Sequence, residues 1–302
     1  MNKTLLCAAL AATLAAGATA ANALPLAYAS GQNGALYQID LATGATVKQS
    51  VSFDGGNVNG IGLDAAANTI YYSANLKTGN VTDRHLERIT LGVNTDLGSL
   101  TSLNTPSDSA DGDYYAGSYW YVTDQTTGGY SGDQLIRVNL NASGNPVGFT
   151  NLGSVNNGTA LGGITDISFV ATGSAITTAY ITAGKANLST VTVNTTANTV
   201  SSLTSLPTPA RQYAGLSYDP VANALYGIQG LTNQTSTLYK ISTGTGAELS
   251  AITITGDAVG DRLSDLTGAV QVGIAIPEAG SLALIGCFAM IPLLGVVLRR
   301  KR

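Results

Sequence analysis

Histidine and cysteine are the scarcest reactive groups in this chain, which has one histidine and two cysteines among 302 residues. Both cysteines lie in terminal segments that we expect to be removed, Cys7 in a signal peptide and Cys287 in an apolar span. The mature domain would therefore have no disulfide, cysteine nucleophile or zinc–thiolate site. His85 is the one histidine that could contribute to a catalytic triad or a histidine metal cluster. Because it directly precedes a predicted strand at Leu86, we interpret it as a solvated loop residue.

Charge is also sparse, and little of it is positive. Without Lys3, the four terminal basic residues and Glu278, the chain has 9 basic and 17 acidic residues, a net charge of about −8. This balance disfavours nucleic acid and anionic membranes as partners. The mature domain has only two glutamates, Glu87 and Glu248, on a predicted outer strand and its hairpin. A glycosidase therefore lacks its acid and partner carboxylate unless aspartates replace them. No glycine-rich phosphate loop follows a strand and precedes a helix.

The two ends of the chain predict export. An apolar run after Lys3, followed by Ala21-Asn22-Ala23, is typical of a signal peptide over residues 1–23, with an alternative cleavage site after Ala20. Near the C-terminus, Gly280 to Leu298 has 19 uncharged residues. As a helix these would span roughly 28 Å, close to the thickness of the bilayer core. A basic tail follows, and it places the rest of the chain outside the cytoplasm: Arg299, Arg300, Lys301 and Arg302.

A three-part pattern covers residues 276–302: the pair Pro277-Glu278, one short span and an arginine-rich end. It resembles the PEP-CTERM sorting signal of Gram-negative bacteria, although Ala279 stands where the family has a second proline. The resemblance implies that signal peptidase and an exosortase process the chain. It would be anchored transiently in the inner membrane and then reach the cell surface or extracellular matrix, where such proteins are associated with polysaccharide. The alternative is a plain anchor that retains Arg302.

The middle of the chain contains an internal repeat. LYQIDL at Leu36 recurs as LERITL, LIRVNL, LSTVTV and LYKIST at intervals of 50, 49, 53 and 50 residues. Each copy alternates apolar and polar residues, as a half-buried strand does. A second unit, GIGLDAAANTIYY at Gly60, aligns without gaps on GLSYDPVANALYG at Gly215. About four strands per 50 residues predict the blades of a β-propeller.

We therefore predict an all-β domain over residues 24–275, a propeller of five four-stranded blades. The strand Leu26 to Ser30 would complete the last blade, which lacks one strand of its own. Six blades is the alternative, if one irregular segment hides a degenerate blade. The repeats resemble the broad quinoprotein-like and WD-repeat-like propellers, without a signature of one family.

Aspartates are predicted at one face of this propeller. Three of them, Asp111, Asp166 and Asp265, fall where inner strands begin and would ring the channel mouth. Beside Asp111 lie Asp108 and Asp113, and the loops between second and third strands on the same face add Asp124 and Asp133. Such oxygen ligands could hold Ca²⁺ or a polar ligand, with six to eight oxygens needed for calcium. The alternative is that the aspartates cap their own backbone in turns.

Two function classes follow from these patterns. The favoured one is an exported propeller that binds or scaffolds exopolysaccharide or a surface protein, without a catalytic residue. Its rim tyrosines, such as Tyr114 and Tyr130, could stack on sugar rings, although packing between blades is the default for aromatic residues at strand positions. The other is a metal-dependent lactonase- or lyase-like enzyme that uses the aspartate-lined mouth.

Overall fold

The computed structural model describes residues 25–271, apart from 32–33, 55, 79–80, 101–108, 124–131, 156–163, 173–174, 184–186, 202, 209–210 and 231–234. The predicted signal peptide, sorting motif, span and basic tail lie outside the described residues. Within the described part of the chain, no helix has the length and apolar composition needed to cross a membrane.

The chain forms strands in the following order: β1 (Pro25–Gly31), β2 (Ala35–Asp40), β3 (Ala45–Ser52), β4 (Gly56–Asp64), β5 (Thr69–Thr78), β6 (Val81–Thr90), β7 (Val93–Ser99), β8 (Ser109–Tyr115), β9 (Ser118–Thr123), β10 (Gln134–Leu140), β11 (Pro146–Ser154), β12 (Ile164–Thr172), β13 (Ala175–Ala183), β14 (Asn187–Asn194), β15 (Thr199–Val200), β16 (Thr204–Ser205), β17 (Gly215–Asp219), β18 (Ala224–Gln229), β19 (Thr237–Ile241), β20 (Glu248–Thr253), β21 (Thr255–Gly256) and β22 (Leu263–Gln271).

These strands make five antiparallel blades, which confirms the predicted five-bladed propeller. From the channel outward, blade 1 is β4 to β7, blade 2 is β8 to β11, and blade 4 is β17 to β20. In blade 3 the strand order is β12, β13, β14, and the two-residue strands β15 and β16 both pair with β14. Blade 5 has the order β22, β1, β2, β3, with β21 added in parallel to β3.

Blade 5 combines strands from both ends of the described chain. β1 pairs with β2 on one side, where Ala29 lies opposite Tyr37. On its other side it pairs with β22, where Ala29 lies opposite Leu266. The strand predicted at Leu26 to Ser30 therefore lies between the first repeat strand and the last inner strand.

The copies of the repeat motif occupy equivalent strands of their blades, because each copy has the alternation of apolar and polar residues that this strand position requires. The LYQIDL-type copies are the third strands β2, β6, β10, β14 and β19. Second strands are apolar on both faces, as in SYWYVT of β9, because neighbouring blades cover both sides of the sheet. The outermost strand β20, ELSAIT, is mostly exposed. Exposure thus increases from the second strand of a blade to its outermost strand.

The core consists of five apolar clusters, one between each pair of neighbouring blades. Between blades 2 and 3, for example, the rings of Trp120 and Phe169 lie 5.4 Å apart. The inner strands contact one another in the order β4, β8, β12, β17, β22 and again β4. This packing confirms that the predicted interblade tyrosines belong to the core, since Tyr72 and Tyr119 are fully buried.

Candidate functional site

The inner strands are joined by side chains that accept hydrogen bonds from the backbone of the next blade. Asp111 Oδ1 accepts from Gly60 N at 2.7 Å, and Asp166 Oδ2 accepts from Leu216 N. Inner strands leave an unpaired edge towards the channel, and a buried backbone N–H without a partner costs stability. These aspartates therefore satisfy the backbone of a neighbouring blade, whereas the alternative drawn from the sequence was capping within their own turns.

Three of the predicted site residues come together inside the ring. Asp111, Asp166 and Asp265 are 4%, 1% and 2% exposed, so the structure buries them instead of presenting them at an open mouth. Asp166 Oδ1 also accepts from Ile167 N at 2.6 Å, and Ser30 Oγ donates to Asp265 Oδ2 at 3.1 Å. One oxygen or more of each carboxyl group is thus already engaged by protein.

Burial controls the ionisation of these three carboxyl groups. Loss of hydration raises the pKa of Asp111 and Asp166 well above the ordinary range, and the neighbouring charge of Asp265 raises both further. The pKa of Asp265 is also raised by burial, but a hydrogen bond from Asp111 opposes the rise. We infer that Asp111 stays protonated and donates a hydrogen bond to Asp265, because close buried carboxyl groups cannot all ionise.

The remaining predicted site residues lie elsewhere. Asp113 lies two residues further along β8, and its Oδ1 accepts from Tyr114 N at 2.7 Å and from Thr267 Oγ1 at 3.1 Å. Burial raises the pKa of Asp113 to about 7. Asp133 is fully buried beside β10. Asp108, Asp124 and Tyr130 lie outside the described residues. The Ca²⁺ or polar-ligand site thus stays a prediction, with three of its five carboxyl groups in one buried layer.

A groove of about 580 Å³ lies between blades 1 and 2, at the end where β4 and β8 finish. Its lining combines rings, charges and a hairpin turn, contributed mainly by Asp64, Tyr71, Arg88, Tyr114 and residues 141–144. The rings of Tyr71 and Tyr114 are stacked, with centroids 5.0 Å apart and planes 5° apart. The groove is therefore built from side chains of both blades.

Polar groups of the groove are only partly satisfied by protein. Tyr114 Oη donates to Asp64 Oδ2 at 2.7 Å, and Arg88 Nη1 donates to the carbonyl oxygen of Ser143 at 2.5 Å. Arg88 Nε is buried and has no hydrogen-bond acceptor among the described residues. Burial raises the pKa of Tyr71 and Tyr114, so both hydroxyl groups keep their protons at neutral pH. The groove is thus lined by the Tyr71 hydroxyl, a carboxylate acceptor and a guanidinium.

The histidine interpretation was wrong. His85 lies within β6, paired with Ser99 of β7, and its side chain is only 15% exposed. Its Nδ1 lies 2.9 Å from Asp96 Oδ1. The sequence predicted a loop because Leu86 begins the apolar motif, but β6 starts five residues earlier, at Val81. Glu87 is in the expected strand and is buried.

Sequence reasoning missed the groove. It identified Tyr114 as a rim residue, but Asp64 and Arg88 were not singled out. Asp64 ends β4 and precedes the turn AAAN, and Asn141 begins the β10–β11 turn. The repeat places both turns at the same end of their blades, and this is the one signal that could have indicated a shared groove.

Neither a known protein family nor a curated protein matches the chain. Solved structures do match. A luciferin-regenerating enzyme is 15% identical over 76% of this chain and 77% of its own, with a TM-score of 0.44. A gluconolactonase of Xanthomonas campestris is 12% identical over 81% and 80%, with a TM-score of 0.46. An auxiliary nutrient binding protein of Bacteroides thetaiotaomicron is 12% identical over 76% and 54%, also at 0.46. At these values none of the three carries an argument about the activity of this chain.

Proposed function

We propose that this protein is an exported, exosortase-processed surface propeller that binds saccharide through the groove between blades 1 and 2. The observation that carries the binding role is the groove itself, where Tyr114, Asp64 and Arg88 line one volume of about 580 Å³. Sugars present hydroxyl groups around an apolar ring face, and sites that bind them combine aromatic rings with a few polar groups. The sorting signal supports the surface location and the choice of exopolysaccharide.

Each groove residue has a distinct role in this proposal. Arg88 lines the groove, and its guanidinium donates to a sugar hydroxyl. Asp64 accepts from a second hydroxyl while it holds Tyr114 in place. Tyr114 is partly exposed and presents its ring to the apolar face of the sugar.

The binding role is tested by measuring the affinity of the purified full chain for exopolysaccharide extracted from the bacterium that makes this protein. Tyr114→Phe removes the bond to Asp64 and Arg88→Gln removes the donor, and each should weaken binding by roughly tenfold, as expected for the loss of a hydrogen bond to a charged group. Tyr218→Phe is a matched control. Its hydroxyl also donates at a strand end, to Asn223 at 3.0 Å, and it also packs on a tyrosine, Tyr180. Equal binding by all variants would contradict the proposed groove.

The surface location has a separate test. Intact-mass spectrometry of membrane and extracellular fractions should find a species that lacks residues 1–23 and ends near Pro277. A membrane species that retains Arg302 would make the protein a plain anchored surface protein.

The buried carboxyl layer favours a second candidate, a metal-dependent enzyme. A pocket of about 280 Å³ lies beside this layer and is lined by Thr165, Ala214 and Arg262 among others. Calcium would then raise the melting temperature of the full chain, and simple lactones would be hydrolysed. Asp166→Asn should abolish both effects. If calcium leaves the melting temperature unchanged and no lactone is consumed, this candidate fails.

A further inference from the structure

A bulge in the outer half of blade 1 brings three metal-binding side chain types to one point. His85 and Glu87 lie two residues apart on β6, and therefore on the same face of the sheet. Glu87 pairs with Asp96 of β7, but His85 pairs with Ser99, so β7 contains an extra residue between these pairs. Gly98 supplies the bend with a φ of +105°, and its N–H donates to Asp96 Oδ1 at 2.7 Å. The bulge thus turns Asp96 towards the pair on β6.

The candidate ligand atoms are close enough to share one ion. One ring nitrogen of His85 and one carboxylate oxygen each of Glu87 and Asp96 lie within 4.8 Å of one another. Bonds of about 2.0–2.2 Å at tetrahedral angles put ligand atoms about 3.3–3.6 Å apart. Rotations of the side chains would close the difference, and the 48% exposure of the Asp96 side chain leaves room for one of them.

Glu87 is an independent observation that points to a bound cation. Its side chain is 1% exposed, and its Oε1 accepts no hydrogen bond from the described residues. A buried carboxylate without a partner costs several kcal/mol in general, and natural proteins pair such groups or bind metals with them. A cation between Glu87, His85 and Asp96 would satisfy it.

The surroundings favour a cation as well. The two ring nitrogens of His85 face different carboxyl groups. Nδ1 faces Asp96, and Nε2 lies 3.9 Å from Asp83 Oδ2. A metal-binding histidine commonly donates its second ring N–H to a carboxylate, which fixes the ring. Asp54 adds another negative charge near Glu87. Three carboxyl groups, of Asp83, Glu87 and Asp96, therefore lie close to one imidazole, and no lysine or arginine forms an ion pair with Glu87 or Asp96 among the described residues.

We propose that His85 Nδ1, Glu87 and Asp96 bind a divalent transition-metal ion, with zinc as the best-suited ion, on the outer half of blade 1. One imidazole and two carboxylates match the ligands that zinc takes, and the exposure of Asp96 leaves the remaining position to water. This site does not depend on the saccharide groove or on the sorting signal.

The experiment is a zinc titration of the purified full chain without a histidine tag, followed by isothermal calorimetry and thermal unfolding. Wild-type protein should bind one zinc ion and unfold at a higher temperature with zinc present. Glu87→Gln and His85→Gln should each weaken zinc binding at least about tenfold, the lower limit for losing even an outer partner of a metal site. Cobalt should give a visible absorption band in wild type that both variants lose.

Two comparisons keep the test decisive if one variant folds poorly. Glu87→Gln preserves the shape of the side chain and removes its charge, so without zinc it should unfold at the same or a higher temperature than wild type. The matched control is Asp219→Asn, because Asp219 Oδ2 is also buried without a hydrogen-bond partner among the described residues but lies outside the cluster of His85, Glu87 and Asp96. Zinc affinity unchanged in both cluster variants, or no saturable binding by wild type at 100-fold excess zinc, would overturn the proposal.

Discussion

Asp113 provides the sharpest test of how the inner strands are held together. Its carboxyl group accepts hydrogen bonds from Tyr114 N and Thr267 Oγ1. Burial raises its pKa from the ordinary 3.8 to about 7, and those hydrogen bonds oppose the rise only in part. Replacement by asparagine keeps an oxygen acceptor for Tyr114 N and Thr267 Oγ1 and removes the ionisable group, at the cost of the smaller contribution from the Phe169 backbone. We therefore expect Asp113→Asn to stabilise the propeller at alkaline pH.

The sign follows from proton binding in the two states. Because the folded pKa lies above the unfolded value, the folded protein keeps a proton between about pH 4 and pH 7 that the unfolded chain releases. Wild-type stability therefore falls across this window, and the loss is complete above pH 7. A rise from 3.8 to about 7 corresponds to about 4 kcal/mol, at about 1.36 kcal/mol per pKa unit. Asp113 keeps part of its surface exposed, so we expect roughly half of this, about 2 kcal/mol.

The assay is thermal unfolding of the purified full chain at pH 4 and pH 8. Asp113→Asn should unfold about 4–8 °C above wild type at pH 8, since about 1 kcal/mol corresponds to about 2–4 °C in a domain of this size. At pH 4 the two curves should coincide. Asp257→Asn is a control, because Asp257 accepts a backbone hydrogen bond from Lys48 at an exposed site. A variant less stable than wild type at pH 8 would refute this reasoning and show that the ionised carboxylate is needed, as in a cation site.

Two further substitutions test the packing between blades 1 and 2 and the side-chain contacts of blade 4. Gly62→Ala should destabilise the fold by about 1–3 kcal/mol in urea unfolding, because a Cβ at this position would overlap the backbone nitrogen of Tyr114. The control is Gly244→Ala, which should change stability by less than about 0.5 kcal/mol because a Cβ at Gly244 would lie in open space. Arg211→Lys should cost about 1 kcal/mol because lysine cannot reproduce the two bonds of Arg211 to Glu248, at 2.5 and 3.1 Å. Equal stability of Gly62→Ala and Gly244→Ala, or an unchanged Arg211→Lys, would contradict these contacts.

The propeller was predictable because its information is local and repeated. Each copy of LYQIDL carries its own alternation of apolar and polar residues, so the period of about 50 residues indicated the blades directly. The sorting signal is also local, carried by Pro277, Glu278 and the basic tail, and it stays a prediction. The aspartates at the starts of inner strands lie near one another because the repeat aligns equivalent positions of different blades, but they are buried and not at the predicted channel mouth.

The sequence by itself thus determined the strand pattern, the number of blades and the grouping of Asp111, Asp166 and Asp265. The tertiary structure alone decided what those groups do, because hydrogen bonds such as that from Gly60 N to Asp111 join residues about 50 positions apart. It also decided that His85 meets Glu87 and Asp96, through a one-residue bulge that no periodicity reveals. Local alternation encodes which face of a strand is buried, whereas a site depends on how blades stack and where pairing shifts. That information is spread over distant residues and exists only once the ring has formed.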